Sequence, residues 1–244
     1  MYFMNPILIA AAVVPAVILL VKVNKADRLE KESPSLLLSL VLFGVLSTAL
    51  AALGERIGIS VLGRFLPENS LIYNILLYFI VVGGSEEGSK YLLLRKKTWN
   101  HPEFNCQFDG VVYGVFVSLG FALWENIGYT AMYGLSTALV RAVTAIPGHA
   151  CFGVFMGTWY GIAKKYDAAG NKAAAEQCRK RAVFIPLILH GIYDFTATYQ
   201  NMLMSLVFTA FIVWMYSSAI RVVKRISTDD SYIVDNSGRN RFFF

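Results

Sequence analysis

Ionisable side chains interrupt four of the apolar segments of this chain. In chain order they are Glu86, Glu87 and Lys90, then Glu125, then His149, and finally His190 and Asp194. A charged residue at the centre of a bilayer costs about 2.5 to 3.5 kcal/mol. The four residues Glu86, Glu87, Lys90 and Glu125 would therefore together cost roughly 10 kcal/mol if left unpaired. That is comparable with the whole stability of a domain, roughly 5–15 kcal/mol. We therefore expect these groups to face one another, water or a metal ion.

Helical spacing places several of these side chains on common faces. Residues four apart lie on the same face of a helix. Three pairs have this spacing: Glu86 and Lys90, Phe121 and Glu125, and His190 and Asp194. An ion pair between Glu86 and Lys90 is the purely structural interpretation of the first pair, whereas ionisable groups inside a membrane are more often functional.

Small residues accompany these side chains. They form two stripes at steps of four: Gly153, Gly157 and Gly161 after His149, and Gly110, Gly114 and Ser118 before Glu125. Small residues let a neighbouring helix backbone approach closely. We therefore expect His149 to lie on a packed, inward face.

Depth along the helices is a weaker guide. At 1.5 Å per residue, Glu86 and His190 lie about 12 Å from one end of their segments, whereas His149 and Glu125 lie about 20 and 24 Å from that end. The sequence therefore leaves open whether these side chains meet.

The composition requires that membrane helices position these groups. Of the 244 residues, 56% are hydrophobic and 16% are charged, against about 45–50% and 25% in soluble domains. The mean hydropathy is +0.53. A chain of this size cannot hide so much apolar surface in a soluble core. We therefore exclude a soluble enzyme, a disordered protein and a nucleic-acid-binding module, and we expect the lipid bilayer to be the solvent.

Seven segments are long and apolar enough, or nearly so, to cross a bilayer, which takes about 20 residues. They are Phe3–Val21, Ser35–Leu53, Leu71–Leu94, Asp109–Thr130, Leu135–Ala163, Ala182–Tyr199 and Met202–Ile220. The predicted fold class is all-α: a polytopic bundle of about seven transmembrane helices. We expect one transmembrane domain over residues 1–220, with its motif-bearing core at about 80–200, and a short cytoplasmic tail at 221–244.

The distribution of basic residues predicts the orientation. Most of the 22 Lys and Arg residues lie after the first, third and fifth segments and in the tail. Cytoplasmic loops carry such an excess. The N-terminus is therefore predicted outside and the C-terminus in the cytoplasm.

Known ways of cutting a peptide within a membrane leave different sequence marks. The chain has no HExxH zinc motif, which supplies two imidazoles one helical turn apart, and no GxSG nucleophile motif. Tyr193-Asp194 supplies one half of an aspartyl dyad, but no GxGD motif follows. The remaining type of site uses paired glutamates with histidines on separate helices, and these residues are present in the chain.

Three motifs resemble those of the PrsW family of intramembrane proteases, which is related to the CAAX-prenyl proteases. They are Glu86-Glu87-x-x-Lys90, Phe121-x-x-x-Glu125-Asn126 and His190-x-x-x-Asp194. The segment Asp109-Gly110-x-x-Tyr113-Gly114 and His149 are similar to family features too. CAAX-type enzymes have FxxxH where this chain has Glu125, which favours PrsW and argues against prenyl-CAAX processing.

The resemblance implies a membrane protease, grouped with metallopeptidases, in the bacterial plasma membrane. Its partner would be a single-span membrane protein substrate. In bacteria this family is associated with the first cut of anti-sigma factors, on the outer side.

A mechanism can be stated for these residues. Glu86 or Glu87 would act as general base on a water, since two adjacent carboxylates in a cavity of low dielectric cannot both ionise cheaply. Lys90 would hold the remaining charge. Glu125, His149 and His190 offer the oxygen and nitrogen atoms that bind Zn²⁺, with one position left for water, and Asp194 would orient His190. Alternatively, His190 and Asp194 would stabilise the oxyanion without a metal.

Two other classes of function compete with this interpretation. A proton- or cation-coupled transporter also places carboxylates at mid-depth, but the chain shows no inverted repeat. A non-catalytic scaffold with a protease-like fold predicts that loss of Glu86 or His190 leaves function intact.

Overall fold

A computed structural model describes residues 5–199 and 201–233. It contains α1 (Pro6–Ala26), α2 (Pro34–Phe65), α3 (Leu71–Ile75), a π-helix (Leu76–Val82), α4 (Gly83–Thr98), α5 (Asp109–Tyr133), α6 (Leu135–Val143), α7 (Ala145–Ala168), α8 (Lys172–Thr198) and α9 (Met202–Thr228). Because α3, the π-helix and α4 are continuous and α6 and α7 are separated only at Thr144, these elements form seven long helical rods. The only β-pairing within the described ranges is an isolated bridge between Cys106 and Tyr232. The predicted all-α polytopic membrane fold is therefore confirmed.

Five of the seven rods are long and apolar enough to cross a membrane by length and composition: α1, α2, α5, α6 with α7, and α9. The other two rods carry Glu86, Glu87 and Lys90 on α4 and His190 and Asp194 on α8. Helix α2 is longer than predicted, since it continues past Leu53 to Phe65. Each of the seven predicted segments lies on one rod, although Phe3 and Met4 of the first lie outside the described residues.

Polar caps explain where several helices begin. The side chain of Asn5 accepts a hydrogen bond from the Ile7 amide, and Ser33 accepts one from Leu36. Proline follows each of these caps at the first helical position, where its missing N–H costs nothing. These caps satisfy amides that the helix itself leaves unbonded.

Helix α5 forms the centre of the bundle and packs on α7 through glycines. A Cβ atom on Gly114 would lie 2.5 Å from the Gly153 carbonyl oxygen, and one on Gly157 would come still closer to the Gly110 carbonyl. The two predicted stripes of small residues therefore face each other, and His149 lies at their end on α7. This contact places His149 beside α5, the helix that carries Glu125.

The π-helix lies directly before the paired glutamates. Its wider hydrogen-bonding pattern is visible where the Gly83 amide donates to the Tyr78 carbonyl, five residues back. At Gly83 the chain passes close to α8, because a Cβ atom there would lie 3.1 Å from the Leu187 carbonyl oxygen. π-Helical turns occur frequently at functional sites.

The chain after α9 folds back onto the connection between α4 and α5. The Ile233 amide donates to the Asn105 carbonyl at 2.6 Å, and the Phe108 amide donates to Asp230 Oδ1 at 2.9 Å. Helix α9 extends eight residues beyond the predicted domain end at residue 220, to Thr228. Of the predicted tail, residues 234–244 lie outside the described range.

Candidate active site

The buried ammonium of Lys90 lies at the centre of the site. Its Nζ is 2.7 Å from Glu87 Oε1, 3.1 Å from Glu86 Oε2 and 3.1 Å from His149 Nδ1. It also lies 3.9 Å from the centroid of the Phe121 ring. An ammonium without solvent needs such partners. The ion pair expected between Glu86 and Lys90 is therefore present, with Glu87 as a second and closer partner.

His190 on α8 connects with both glutamates of α4. Its Nδ1 lies 2.9 Å from Glu87 Oε1, and its Nε2 lies 3.8 Å from Glu86 Oε2 and 3.4 Å from Asp194 Oδ2. The ring stacks on Phe152, with centroids 4.7 Å apart and an interplanar angle of 20°. Because an ionised carboxylate only accepts hydrogen bonds, the proton of this pair is on His190 Nδ1.

His149 on α7 connects Lys90 to Glu125. Since a lysine ammonium only donates, His149 Nδ1 accepts from Lys90, and the ring proton is on Nε2. That nitrogen lies 3.2 Å from Glu125 Oε2. The same oxygen accepts from Arg141 Nη2 at 2.8 Å. Glu125 is thus held by a histidine and an arginine together.

Arg141 also fixes the helix that carries Glu125. Its Nε donates to Asn126 Oδ1 at 3.0 Å, and Asn126 Nδ2 donates to the Ala12 carbonyl at 2.9 Å. This chain of bonds joins α6, α5 and α1 at the level of the site.

The predicted site residues therefore meet, in spite of their unequal depths in sequence. The rings of His149 and His190 have centroids 5.4 Å apart. The depths differ from those counted in the sequence because α4 ends at Thr98 and α8 begins at Lys172. Glu86 and His190 therefore lie farther from the ends of their helices than the predicted segments implied.

A cavity of 370 Å³ opens beside these side chains. Its ionisable lining residues are Glu55, Glu86, Glu125, Arg141, His149, His190 and Asp194, with Tyr78, Tyr129 and Tyr193 among the others. Glu87 and Lys90 do not line it, and both are fully buried. The site therefore has an inner layer around Lys90 and an outer layer that borders the cavity.

Glu55 is a lining residue that the sequence reasoning missed. The predicted second segment ended at Leu53, which left Glu55 in a loop, whereas α2 carries it past the cavity. The signal in the sequence was Gly54, a small residue that lets another helix approach closely. A Cβ atom at this position would lie 2.6 Å from Ser85 Oγ. Helix α2 thus crosses α4 immediately before Glu86.

The residues around Lys90 offer donor groups that a metal ion accepts. Glu86, Glu87 and His149 each offer a ligand atom within 4.8 Å of the others, but all three contact the Lys90 ammonium, which a metal ion bound by them would displace. Among the described residues, Glu87 Oε2 is buried without a hydrogen-bond partner, which indicates spare acceptor capacity. Carboxylate oxygen and imidazole nitrogen are donors that zinc accepts. Of the predicted ligands Glu125, His149 and His190, only His149 belongs to this group, and the other two border it.

Comparison with known proteins identifies relatives over most of the chain. A family model described as PrsW family intramembrane metalloprotease matches residues 32–220. Protease PrsW of Shouchella clausii is 31% identical over 220 residues, which cover 90% of this chain and 97% of the relative. Protease PrsW of Clostridioides difficile is 31% identical over 209 residues, or 83% and 85% of the two chains. Protease PrsW of Bacillus subtilis is 39% identical over 120 residues, or 49% and 53%. No solved structure shows significant similarity to the chain.

Proposed function

The chain belongs to the PrsW family of intramembrane metalloproteases, and from this membership we propose that it hydrolyses its substrate with a water molecule activated by Glu86. One observation carries the proposal: Glu86 and His190 line the same 370 Å³ cavity, with Oε2 and Nε2 3.8 Å apart. A water in the cavity that contacts both groups could pass a proton to Glu86 as its oxygen attacks a carbonyl carbon.

The two glutamates have different roles in this proposal. Glu87 Oε1 is engaged by both Lys90 and His190, and Glu87 does not border the cavity. Glu86 accepts from Lys90 through Oε2, and its Oε1 has no hydrogen bond among the described residues. Glu86 is therefore the general base, and Glu87 is a positioning residue that fixes Lys90 and His190.

The remaining site residues would hold charge and orientation. When both ring nitrogens are protonated, His190 can donate from Nε2 to the oxyanion that forms when water adds to the carbonyl, while Nδ1 stays bonded to Glu87. Asp194, 3.4 Å from that nitrogen, would orient the ring. Lys90 would keep the charge of Glu87 compensated throughout.

A metal ion in the same site would be held at His149. Its other ligands would be Glu125 and His190, as the sequence predicted, or Glu86 and Glu87, in which case the ion would replace the Lys90 ammonium that these residues now contact. When bound, Zn²⁺ would polarise the scissile carbonyl and acidify the attacking water.

The substrate we propose is a single-span membrane protein. The relatives named above are bacterial proteases, and the resemblance to PrsW points to first-site cleavage of an anti-sigma factor at the bacterial plasma membrane. The apolar helices around the site support a substrate that reaches the cavity from the bilayer.

Cleavage in liposomes tests this proposal. The pure protein is reconstituted with a single-span substrate of the anti-sigma type, and wild type is compared with Glu86→Gln and His190→Ala, each with and without a zinc chelator. Since general base catalysis contributes about 10²–10⁴-fold, we expect Glu86→Gln to reduce kcat by that factor. The matched control is Glu68→Gln, which changes an exposed carboxylate and should cleave normally. Unimpaired cleavage by Glu86→Gln would overturn the assignment of the base. Cleavage that resists the chelator but still needs Glu86 would overturn only the proposed role of the metal ion.

A further inference from the structure

A second group of buried carboxylates lies where three connecting segments meet. Asp27 follows α1, Glu32 lies in the connection to α2, and Asp109 is the first residue of α5. Each offers an oxygen atom within 4.8 Å of the others. We call these three residues the junction cluster.

The junction cluster is almost closed to solvent. Asp27, Glu32 and Asp109 are 3%, 7% and 1% exposed. Asp109 Oδ2 accepts from the amides of Cys106, at 2.6 Å, and Asn105, at 3.0 Å. Backbone donors therefore hold Asp109 in place, and they engage only one of its two oxygens.

Several carboxylate oxygens in the cluster have no donor within residues 5–199 and 201–233. They are both oxygens of Asp27 and Oε2 of Glu32, which are buried without a hydrogen-bond partner there. The hydroxyl of Tyr113, a fully buried side chain, is directed at Glu32. Burying a carboxylate without a partner is very costly. Three carboxylate oxygens left in this state together point to a positively charged ligand.

The surroundings add negative charge. In the part of the chain that the structure describes, Asp230 Oδ2 is another buried oxygen without a partner, and Glu30 and Glu103 lie in the same connections. Lys31 is the nearby base, but its ammonium donates to the backbone carbonyls of Asn24 and Asp27. The carboxylates of the cluster therefore remain available.

We propose that Asp27, Glu32 and Asp109 bind a hard divalent cation, Ca²⁺ or Mg²⁺, at a site separate from the one around Lys90. All available donors are oxygens, which is the ligand set of these ions rather than of zinc. The cation would join the end of α1 to the start of α5. It would also order the segment after α9, because Asp230 is bonded to the Phe108 amide next to Asp109.

Protonation is the alternative way to neutralise the cluster. Desolvation raises the pKa of Asp27 to about 6 and the pKa of Glu32 to about 10. A protonated cluster would not respond to divalent cations, so a cation titration separates the two explanations.

The test measures thermal unfolding of the full chain in detergent after removal of metals. Ca²⁺ or Mg²⁺ is added at constant ionic strength, with Na⁺ as the reference, and stoichiometry is measured by calorimetric titration. At 100 times Kd we expect Tm to rise by about 5–11 °C, with one ion bound per chain. Asp27→Asn and Glu32→Gln should lose this shift.

Three comparisons make the result decisive. Because Asn and Gln are neutral and need no cation to compensate them, we expect the metal-free variants to unfold at or above the Tm of the metal-free wild type, which shows that they fold. Asp229→Asn, a change at an exposed carboxylate, and His149→Ala, a change at the other site, should both keep the shift. The proposal fails if wild type gains no more stability from Ca²⁺ or Mg²⁺ than from Na⁺. It fails equally if the cluster variants keep the shift or if His149→Ala alone abolishes it.

Discussion

Replacing Glu87 with Gln should destabilise the protein more than it impairs the chemistry of the site. Glu87 is fully buried, and its Oε1 lies 2.7 Å from the Lys90 ammonium and 2.9 Å from His190 Nδ1. Removing one partner of a buried ion pair costs about 3–5 kcal/mol, because the other charge is left uncompensated. Lys90 keeps Glu86 at 3.1 Å, so we expect the lower end, about 3 kcal/mol.

Thermal unfolding followed by tryptophan fluorescence measures this loss. For a chain of about this size, 1 kcal/mol shifts Tm by about 2–4 °C, which gives a fall of about 6–12 °C. The control Glu68→Gln, on the surface, should move Tm by less than about 2 °C. The Tm of Glu86→Gln should fall less than the Tm of Glu87→Gln. Glu86 is bonded to Lys90 and borders the cavity, whereas Glu87 is buried and bonded to both Lys90 and His190.

A double-mutant cycle with Lys90→Met assigns the cause. Once the ammonium is gone, Glu87→Gln no longer strands a charge, so we expect the two losses to fall short of additivity by about 1–3 kcal/mol. Additive losses, or a Tm for Glu87→Gln equal to that of the surface control, would refute the view that Glu87 is the principal partner of Lys90.

Three shorter predictions concern other parts of the molecule. Gly157→Ala places a methyl group against the backbone of α5 and should cost at least about 3 kcal/mol, whereas Gly128→Ala, with nothing within 4 Å, should be neutral or stabilise the helix in unfolding experiments. Asp194→Asn should lower kcat by about 10–100-fold with little change in Tm if Asp194 orients His190; an unchanged kcat would contradict that role. Because the pKa of Asp27 rises in the fold from 3.8 to about 6, its stabilising effect is full below pH about 4 and is lost as the pH rises through 6. Metal-free wild type should therefore lose stability over this interval relative to Asp27→Asn, and equal pH profiles for the two proteins would show that Asp27 does not titrate in this way.

Much of the site could be predicted because the cost of charge in a membrane is local to each residue. The positions of Glu86, Lys90 and His190 in apolar segments required partners, and helical spacing already paired Glu86 with Lys90. The two glycine stripes could be predicted as close-packing surfaces, since only small residues allow backbones to approach closely, but the sequence did not show that they face each other.

What the sequence could not predict depends on the relative placement of helices. One partner of Glu125 is Arg141, at 2.8 Å, and this depends on how α6 lies against α5. Glu55 was assigned to a loop because hydrophobicity falls before α2 ends. The junction cluster joins residues 27, 32 and 109, and acidic residues so far apart in connections look like ordinary surface charges.

The wide helical turn at Leu76–Val82 holds about one residue more than α-helical turns of the same rotation, because its hydrogen bonds reach the fifth residue back instead of the fourth. Removing one residue there would therefore let the segment become α-helical while Glu86 still faces the cavity. Adding a residue to the α-helical turn that follows would have no such outlet, and every later side chain would point about 100° away from its present direction, because an α-helix has 3.6 residues per turn. Glu86 would then leave the cavity wall although no residue of the site had changed.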